Sequence, residues 1–258
     1  MLLCDFHIHS NFSDGRHTIR EIVDFYGRAG FDCIAITDHW CDRGSIFGMG
    51  ARILERTLTP ESFPVYLETI REEGERALRI YGLQVLPGVE VTRNHFSNSR
   101  SAHYIGIGIR APVDPDLSIE DGLRALRAQG ALTVAAHPLS NGKFEKQTRH
   151  LWDRREELRH LFDAWEVGSG EHWFPEVAES GLPMIASTDL HRFSQMSGWK
   201  TLVNSGLHPE AILDGIRKQK VEFRRFCENV PAVSSTGGPG IPGNPPARSG
   251  QVATLLIG

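Results

Sequence analysis

CDFHIHSNFSDG, residues 4–15, decides how this chain is read. A β-rich run, Leu2–Phe6, leads into His7 and His9, one residue apart, and Asp14 stands in the turn beyond them. In an extended strand, side chains two apart point to the same side, so the two imidazoles aim at one place. Convergent imidazoles with a carboxylate nearby are the donor set of a metal site.

Working outward, the same arrangement recurs. Short β-rich runs at 2–6, 33–37, 84–91, 102–109, 132–136, 164–167 and 183–187 alternate with amphipathic stretches, which predicts seven mostly buried parallel strands linked by crossover helices. Thr18 and Glu21 form a capping box ahead of Ile19, Ile22, Val23 and Tyr26, and Gly27 or Gly30 ends that helix. Thr59–Pro60 opens a longer helix, with Glu72 and Arg76 spaced to pair on its wet side, and Ser118 caps a helix that Gly130 stops. Trp40–Thr59 reads as a long functional loop forming a pocket wall.

Chemistry-bearing residues gather at the strand ends: His7 and His9 after the first, His39 after the second, Glu90 in the third, His137 after the fifth, Asp189 and His191 after the seventh. In a parallel α/β array such ends share one mouth. His103 lies at the start of its run and reaches that mouth only if its strand or the preceding loop bends into the site. With Asp14 there are nine candidates: His7, His9, Asp14, His39, Glu90, His103, His137, Asp189 and His191. Nitrogen and oxygen donors without thiolate suit zinc, manganese or iron, and nine donors serve two or three divalent ions. Close-set ions activate water and polarise phosphoryl oxygens, which predicts a hydrolase acting on a phosphate ester.

Five stretches in order, DFHIHSNFSDG (5–15), AITDH (35–39), GVE (88–90), AHP (136–138) and STDLH (187–191), resemble the motifs of the PHP (polymerase and histidinol phosphatase) family of metal-dependent phosphoesterases. The resemblance runs from residue 2 to about residue 203 and implies a distorted, TIM-like (β/α)7 barrel with a trinuclear centre. It implies one metal on His7, His9, Glu90 and Asp189, a second on Glu90, His103 and His137, and a third on Asp14, His39 and His191. The implied reaction is hydrolysis of a phosphomonoester of a small molecule by a metal-bound hydroxide. Glu90, Asp189 and His191 are the expected catalytic residues, and His172 and Arg192 candidates for substrate contact. Asp38 is expected to hold the tautomer of His39, and Glu166 to orient a ligand or satisfy a loop. His17 and His95 lie in segments able to overhang the site, while His150, His160 and His208 read as surface residues.

Two other readings start from the same residues. An amidohydrolase also opens with HxH and ends in an aspartate, but it adds a bridging lysine in mid-barrel, and the first lysine here is Lys143. A non-catalytic, metal-bound scaffold is the third reading, against which the complete ligand set argues.

The 258 residues are 40% hydrophobic and 23% charged, with 28 basic against 32 acidic side chains and a net charge of −4. That balance gives no footprint for duplex nucleic acid. Four cysteines without CxxC spacing fit a reducing cytoplasm, and no run approaches the roughly 18 apolar residues of a membrane span. The expected organisation is a catalytic domain over 1–228 and a disordered tail over 229–258, rich in proline, glycine and serine. No feature of the sequence sets the oligomeric state.

Overall fold

A computed structural model of the chain describes residues 1–96, 100–139 and 148–227. The tail at 229–258 and Lys143 lie outside the described residues. The elements begin with β1 (Leu2–Asp5), α1 (Ile19–Arg28), β2 (Cys33–Ile36), β3 (His39–Cys41), α2 (Ile46–Ile53), α3 (Phe63–Tyr81) and β4 (Gln84–Arg93). They continue with β5 (Ala102–Ile107), α4 (Ile119–Ala128), β6 (Leu132–Ala135), α5 (Arg149–Asp153), α6 (Arg155–Leu158) and β7 (Ala164–Ser169). The last are β8 (His172–Trp173), α7 (Pro175–Ala178), β9 (Met184–Ser187), β10 (Gly198–Val203), α8 (Pro209–Arg217) and β11 (Val221–Phe226).

The seven expected strands all form and neighbour one another in the order β1-β2-β4-β5-β6-β7-β9. The sheet curls until its ends meet at a bridge between Ile8 and Leu190, where His9 N–H donates to Leu190 O at 2.8 Å and Leu190 N–H to His7 O at 3.1 Å. Below that bridge β10 fills the gap: it pairs antiparallel with β1, and the Thr201 hydroxyl donates to Ala186 O and accepts from Ala186 N–H, both at 2.8 Å. The result is a mixed α/β half-barrel of the kind the motifs implied. β3, β8, β10 and β11 are additions to the expected set; β11 is an edge strand whose Glu222, Arg224 and Arg225 break any apolar run.

One strand corrects the all-parallel expectation. β5 runs antiparallel to both neighbours, with Thr92 opposite His103 and Tyr104 opposite Ala135. Only residues 94–101 separate β4 from β5, fewer than the dozen or so that a parallel crossover needs. The reversal brings the start of β5 to the mouth where its neighbour β4 ends, so His103 reaches the site without any bend.

Alternation sorts the strand residues into two cores. Cys33, Ala35, Ile105, Ile107, Leu132 and Val134 pack inside the curl with Phe6 and Ile185, joined by Ile212, Leu213 and Ile216 of α8. Ile34, Ile36, Tyr104 and Trp165 face the helices, where Ile22 and Tyr26 of α1 and Tyr66 and Ile70 of α3 meet them. Local signals behave as the sequence requires at α1: Thr18 accepts from Glu21 N–H, Glu21 accepts from Thr18 N–H, and Gly30 at φ +82° follows the last turn. Ser118 caps α4 and Gly130 follows it at φ +83°.

Three details differ from expectation. α3 starts at Phe63, because Thr59 and Ser62 bond each other in a turn and Pro64 occupies the first helical turn. Arg76 pairs with Glu73 at 2.5 Å and Asp24 at 2.7 Å, tying α3 to α1, and not with Glu72. The 40–59 segment contains the end of β3 and all of α2. Among the described residues no helix is long and apolar enough to cross a membrane.

Gly88 sits where β2, β4 and β5 press together. A Cβ there would lie 2.7 Å from Thr37 Cγ2, 2.9 Å from Gly106 O and 3.0 Å from Ile36 O. Gly88→Ala is therefore expected to destabilise the fold by about 1–3 kcal/mol, read as a lower urea midpoint at unchanged m-value.

Candidate metal centre

The cluster is the top layer of the inward face. On β5 the inward set reads Ile107, Ile105, His103; on β4 it reads Leu86, Gly88, Glu90, then Thr92 and Asn94; on β2 Cys33, Ala35 and Thr37 lead to His39. Beyond β1 the chain sends Ile8 to the outer core while His7 and His9 face inward, fully buried. His137 and Asp189 take left-handed backbone, φ +24° and +56°, and their side chains join the others at the mouth. For non-glycine residues such conformations are strained and persist only where the surroundings over-determine them.

Glu90 is the centre. Its buried carboxylate lies 2.6 Å from His39 Nδ1, 3.1 Å from His103 Nδ1, 3.4 Å from His137 Nε2, 3.6 Å from His7 Nε2 and 3.8 Å from His9 Nε2. Asp189 Oδ1 stands 3.1 Å from His9 Nε2 and 3.4 Å from His7 Nε2. Asp14 Oδ1 stands 3.1 Å from His191 Nε2 and 3.4 Å from His39 Nε2. All nine sequence candidates are thus brought together.

They form four overlapping groups whose donor atoms lie within 4.8 Å of one another: His7, His9 and Glu90; His7, His137 and Asp189; Glu90, His103 and His137; and His9, Asp14, His39 and His191. His9 stands closer to the Asp14 group than the implied partition places it. A metal fits this arrangement on a direct observation: His7 Nε2, both His9 nitrogens, Asp14 Oδ1, Glu90 Oε1 and His103 Nδ1 are buried without a well-formed hydrogen bond. Buried polar atoms are rarely left so, and here they face one another. Overlapping groups of imidazole and carboxylate are consistent with a polynuclear site.

The electrostatics follow from burial and crowding. Burial works against ionising Glu90, yet His103, His39 and His7 hold its carboxyl well below the usual range; His7 and His191 do the same for Asp189. Burial, with His39 and His191 alongside, pushes His9 down to about 3. Burial also works against protonating His137 and His191, but the facing carboxylates outweigh it and raise both to about 9.

Supporting residues fix the rings. Glu166 does both of the things expected of it: Oε1 lies 3.0 Å from His7 Nδ1, and Oε2 accepts the His137 backbone N–H at 2.7 Å. Asp38 does not hold His39. It accepts from Ser10 N–H at 2.8 Å and from the hydroxyls of Ser10 and Ser13, so it ties down the loop after His9. His39 Nδ1 lies 2.8 Å from Thr92 Oγ1, and His103 Nε2 3.2 Å from Asn94 Oδ1. Thr92 and Asn94 were not singled out from the sequence, although they follow Glu90 at steps of two along β4 and just past its end, which carries the signal.

A cavity of about 380 Å³ opens beside the cluster, lined by His137, Asp189 and His191 and by Ser169, Glu171, His172, Thr188, Ser194, Gln195 and Ser197. His172 is on its wall; Arg192 is exposed, its backbone N–H bonded to Gln195, and is not among the lining residues. The 40–59 segment is not among the residues that line this cavity. His17 stacks on Phe193 at 3.5 Å, and His95 is exposed on the stretch after β4.

Seven curled strands with overlapping imidazole and carboxylate groups at their mouth define a candidate polynuclear metal site. The PHP domain model matches residues 5–162, more than half of the chain, and the chain belongs to that family. It is 29% identical over 199 residues, 73% of its length, to phosphoribosyl 1,2-cyclic phosphate 1,2-diphosphodiesterase of Eggerthella lenta, and spans 59% of the length of that curated relative. In structure it is similar to a two-domain protein of Bacteroides vulgatus containing a predicted PHP-like metal-dependent phosphoesterase (TM-score 0.63, 23% identity, 87% of this chain and 64% of that one). An amidohydrolase of Chromobacterium violaceum shares the fold at TM-score 0.53 and 17% identity, over 85% of this chain and 97% of its own. Of the described lysines, Lys200 is buried against Asp5, and Lys218 and Lys220 are exposed.

In chelator-treated protein, a metal must displace the protons that the carboxylates hold on His137 and His191. Below about 9 those imidazoles are protonated, so affinity is expected to climb as pH rises from 6 to 9. Calorimetric titration of Zn²⁺ in buffers of different ionisation enthalpy should report proton release at pH 7; pH-independent binding with no release would contradict it.

Proposed function

We propose that this chain is a metal-dependent phosphoesterase that hydrolyses a phosphomonoester of a small molecule, a sugar phosphate or nucleotide, using two or three divalent ions, zinc, manganese or iron. One observation carries the reading: a single buried carboxylate, Glu90, lies within 4 Å of the imidazoles of His7, His9, His39, His103 and His137, as a carboxylate shared between neighbouring ions must. His7, His9, Glu90 and Asp189 would hold one ion, His103 and His137 with Glu90 a second, and Asp14, His39 and His191 a third. When bound, such ions lower the pKa of water and neutralise phosphoryl oxygens.

The protein's own groups divide the remaining work. Glu90 is buried and fixes the spacing of the centre. Asp189 and His191 are partly exposed and line the cavity, so they are the catalytic groups a substrate meets there. The phosphoryl group lies against them and the rest of the molecule fills the cavity, whose walls combine hydroxyls and an amide with Glu171 and Phe174 and whose size is at the small end of ligand pockets. In this reading His172, which lines the cavity, bonds the leaving group. Arg192 takes no part in this reading.

A second reading, a phosphodiester substrate, is favoured by the name of the Eggerthella lenta relative. Phosphate release from sugar phosphates, nucleotides and p-nitrophenyl phosphate, compared with bis-p-nitrophenyl phosphate in Mn²⁺ and Zn²⁺, separates them. Turnover of monoesters is expected; turnover of the diester alone replaces the first reading with the second, and inactivity on every substrate in either metal overturns both. Glu90→Gln is expected to lower kcat/KM at least about 100-fold while circular dichroism stays unchanged.

A further inference from the structure

Asp5 and Lys200 are fully buried charged residues, and neither belongs to the cluster. Asp5 Oδ1 accepts the Thr188 backbone N–H at 2.9 Å, and Oδ2 accepts the Thr188 hydroxyl and the Tyr26 hydroxyl, the latter at 2.8 Å. Lys200 Nζ lies 3.7 Å from the same Oδ2 and donates to Met196 O at 2.9 Å and Trp199 O at 3.4 Å. One buried ion pair therefore grips residues 188–199 at both ends. Between the grips lie Asp189, in left-handed backbone at φ +56°, His191, and the cavity residues Ser194, Gln195 and Ser197.

We propose that Asp5 and Lys200 are positioning residues: a clamp that holds the 188–199 segment so that Asp189 and His191 reach metal ions at the cluster. The inference rests on the metal-centre reading above. A buried ion pair is weak evidence for stability, since apolar residues of the same volume often do as well. Its hydrogen bonds have a direction instead: Asp5 holds the residue before the strained Asp189, and Lys200 holds the carbonyls that close the same loop. The Glu90–His103–His137 group is carried on β4, β5 and the turn after β6 and does not depend on the clamp.

The test uses the full chain with Thr188→Val, which removes one arm of the clamp without stranding a charge, beside Asp5→Asn and Lys200→Met. Bound Zn²⁺ and Mn²⁺ are counted by elemental analysis, and affinities are read by competition with a chromophoric chelator, with circular dichroism to establish folding. Binding by the groups that use Asp189 or His191 is expected to weaken about 10–100-fold, while one ion, on Glu90, His103 and His137, keeps its parental affinity; kcat falls more than KM changes. Parental affinity for every ion in folded variants overturns the clamp, and so does uniform loss of all ions from folded Thr188→Val. If Lys200→Met does not fold because it strands the Asp5 carboxylate, Thr188→Val decides alone. A parent inactive on every phosphate ester, with this graded metal loss in the variants, would overturn the proposed reaction and leave the clamp standing; an active parent with unaltered variants would do the reverse.

Discussion

Sharing Glu90 is the constraint from which the rest of the site follows. Five imidazoles, from β3, from the start of β5 and from the turns after β1 and β6, meet one carboxylate that has no access to water. In a low-dielectric pocket such groups are costly unless they are paired or ligated. The inner core of Phe6, Ile105, Val134 and Ile185 closes the site from below. Each strand register is therefore tied to the chemistry: a slip of one residue at β4 would turn Glu90 toward the outer core and leave the histidines facing one another.

Two departures from regular geometry complete the convergence. β5 is reversed within an otherwise largely parallel barrel, which brings His103 to the mouth from a strand start. His137 and Asp189 take left-handed backbone and are held there by neighbours: the His137 N–H by Glu166, the residue before Asp189 by Asp5. Glu166 thereby couples His7 to His137, so first and fifth expected strands are joined through one carboxylate. Strain of this kind collects at functional sites because the surroundings over-determine it.

The barrel alone does not select a reaction. A structure of an amidohydrolase shares the fold, so what distinguishes one member of this fold from another lies in the groups at the mouth, which here are nine imidazoles and carboxylates. The cavity beside the cluster is of mixed character: hydroxyls, an amide, imidazoles, the Glu171 carboxylate and the Phe174 ring all line it.

The sequence by itself determined the parts that obey short-range rules. Short apolar runs marked the strands, the Thr18 and Ser118 caps marked helix starts, and histidines and carboxylates at run boundaries, with Asp14 in the turn after the first run, gave the members of the cluster, because a residue's place on a strand or turn is a local property. The short 94–101 connection already constrained the direction of β5, whereas only the tertiary structure decided the pairing of Arg76 with Asp24, the partners of Asp38 and the buried grip of Asp5 and Lys200. These depend on which segments lie side by side after the chain has curled. Asp5 and Lys200 are 195 positions apart, and until β10 fills the gap beside β1 nothing in either residue's neighbourhood distinguishes it from an ordinary charge on a strand.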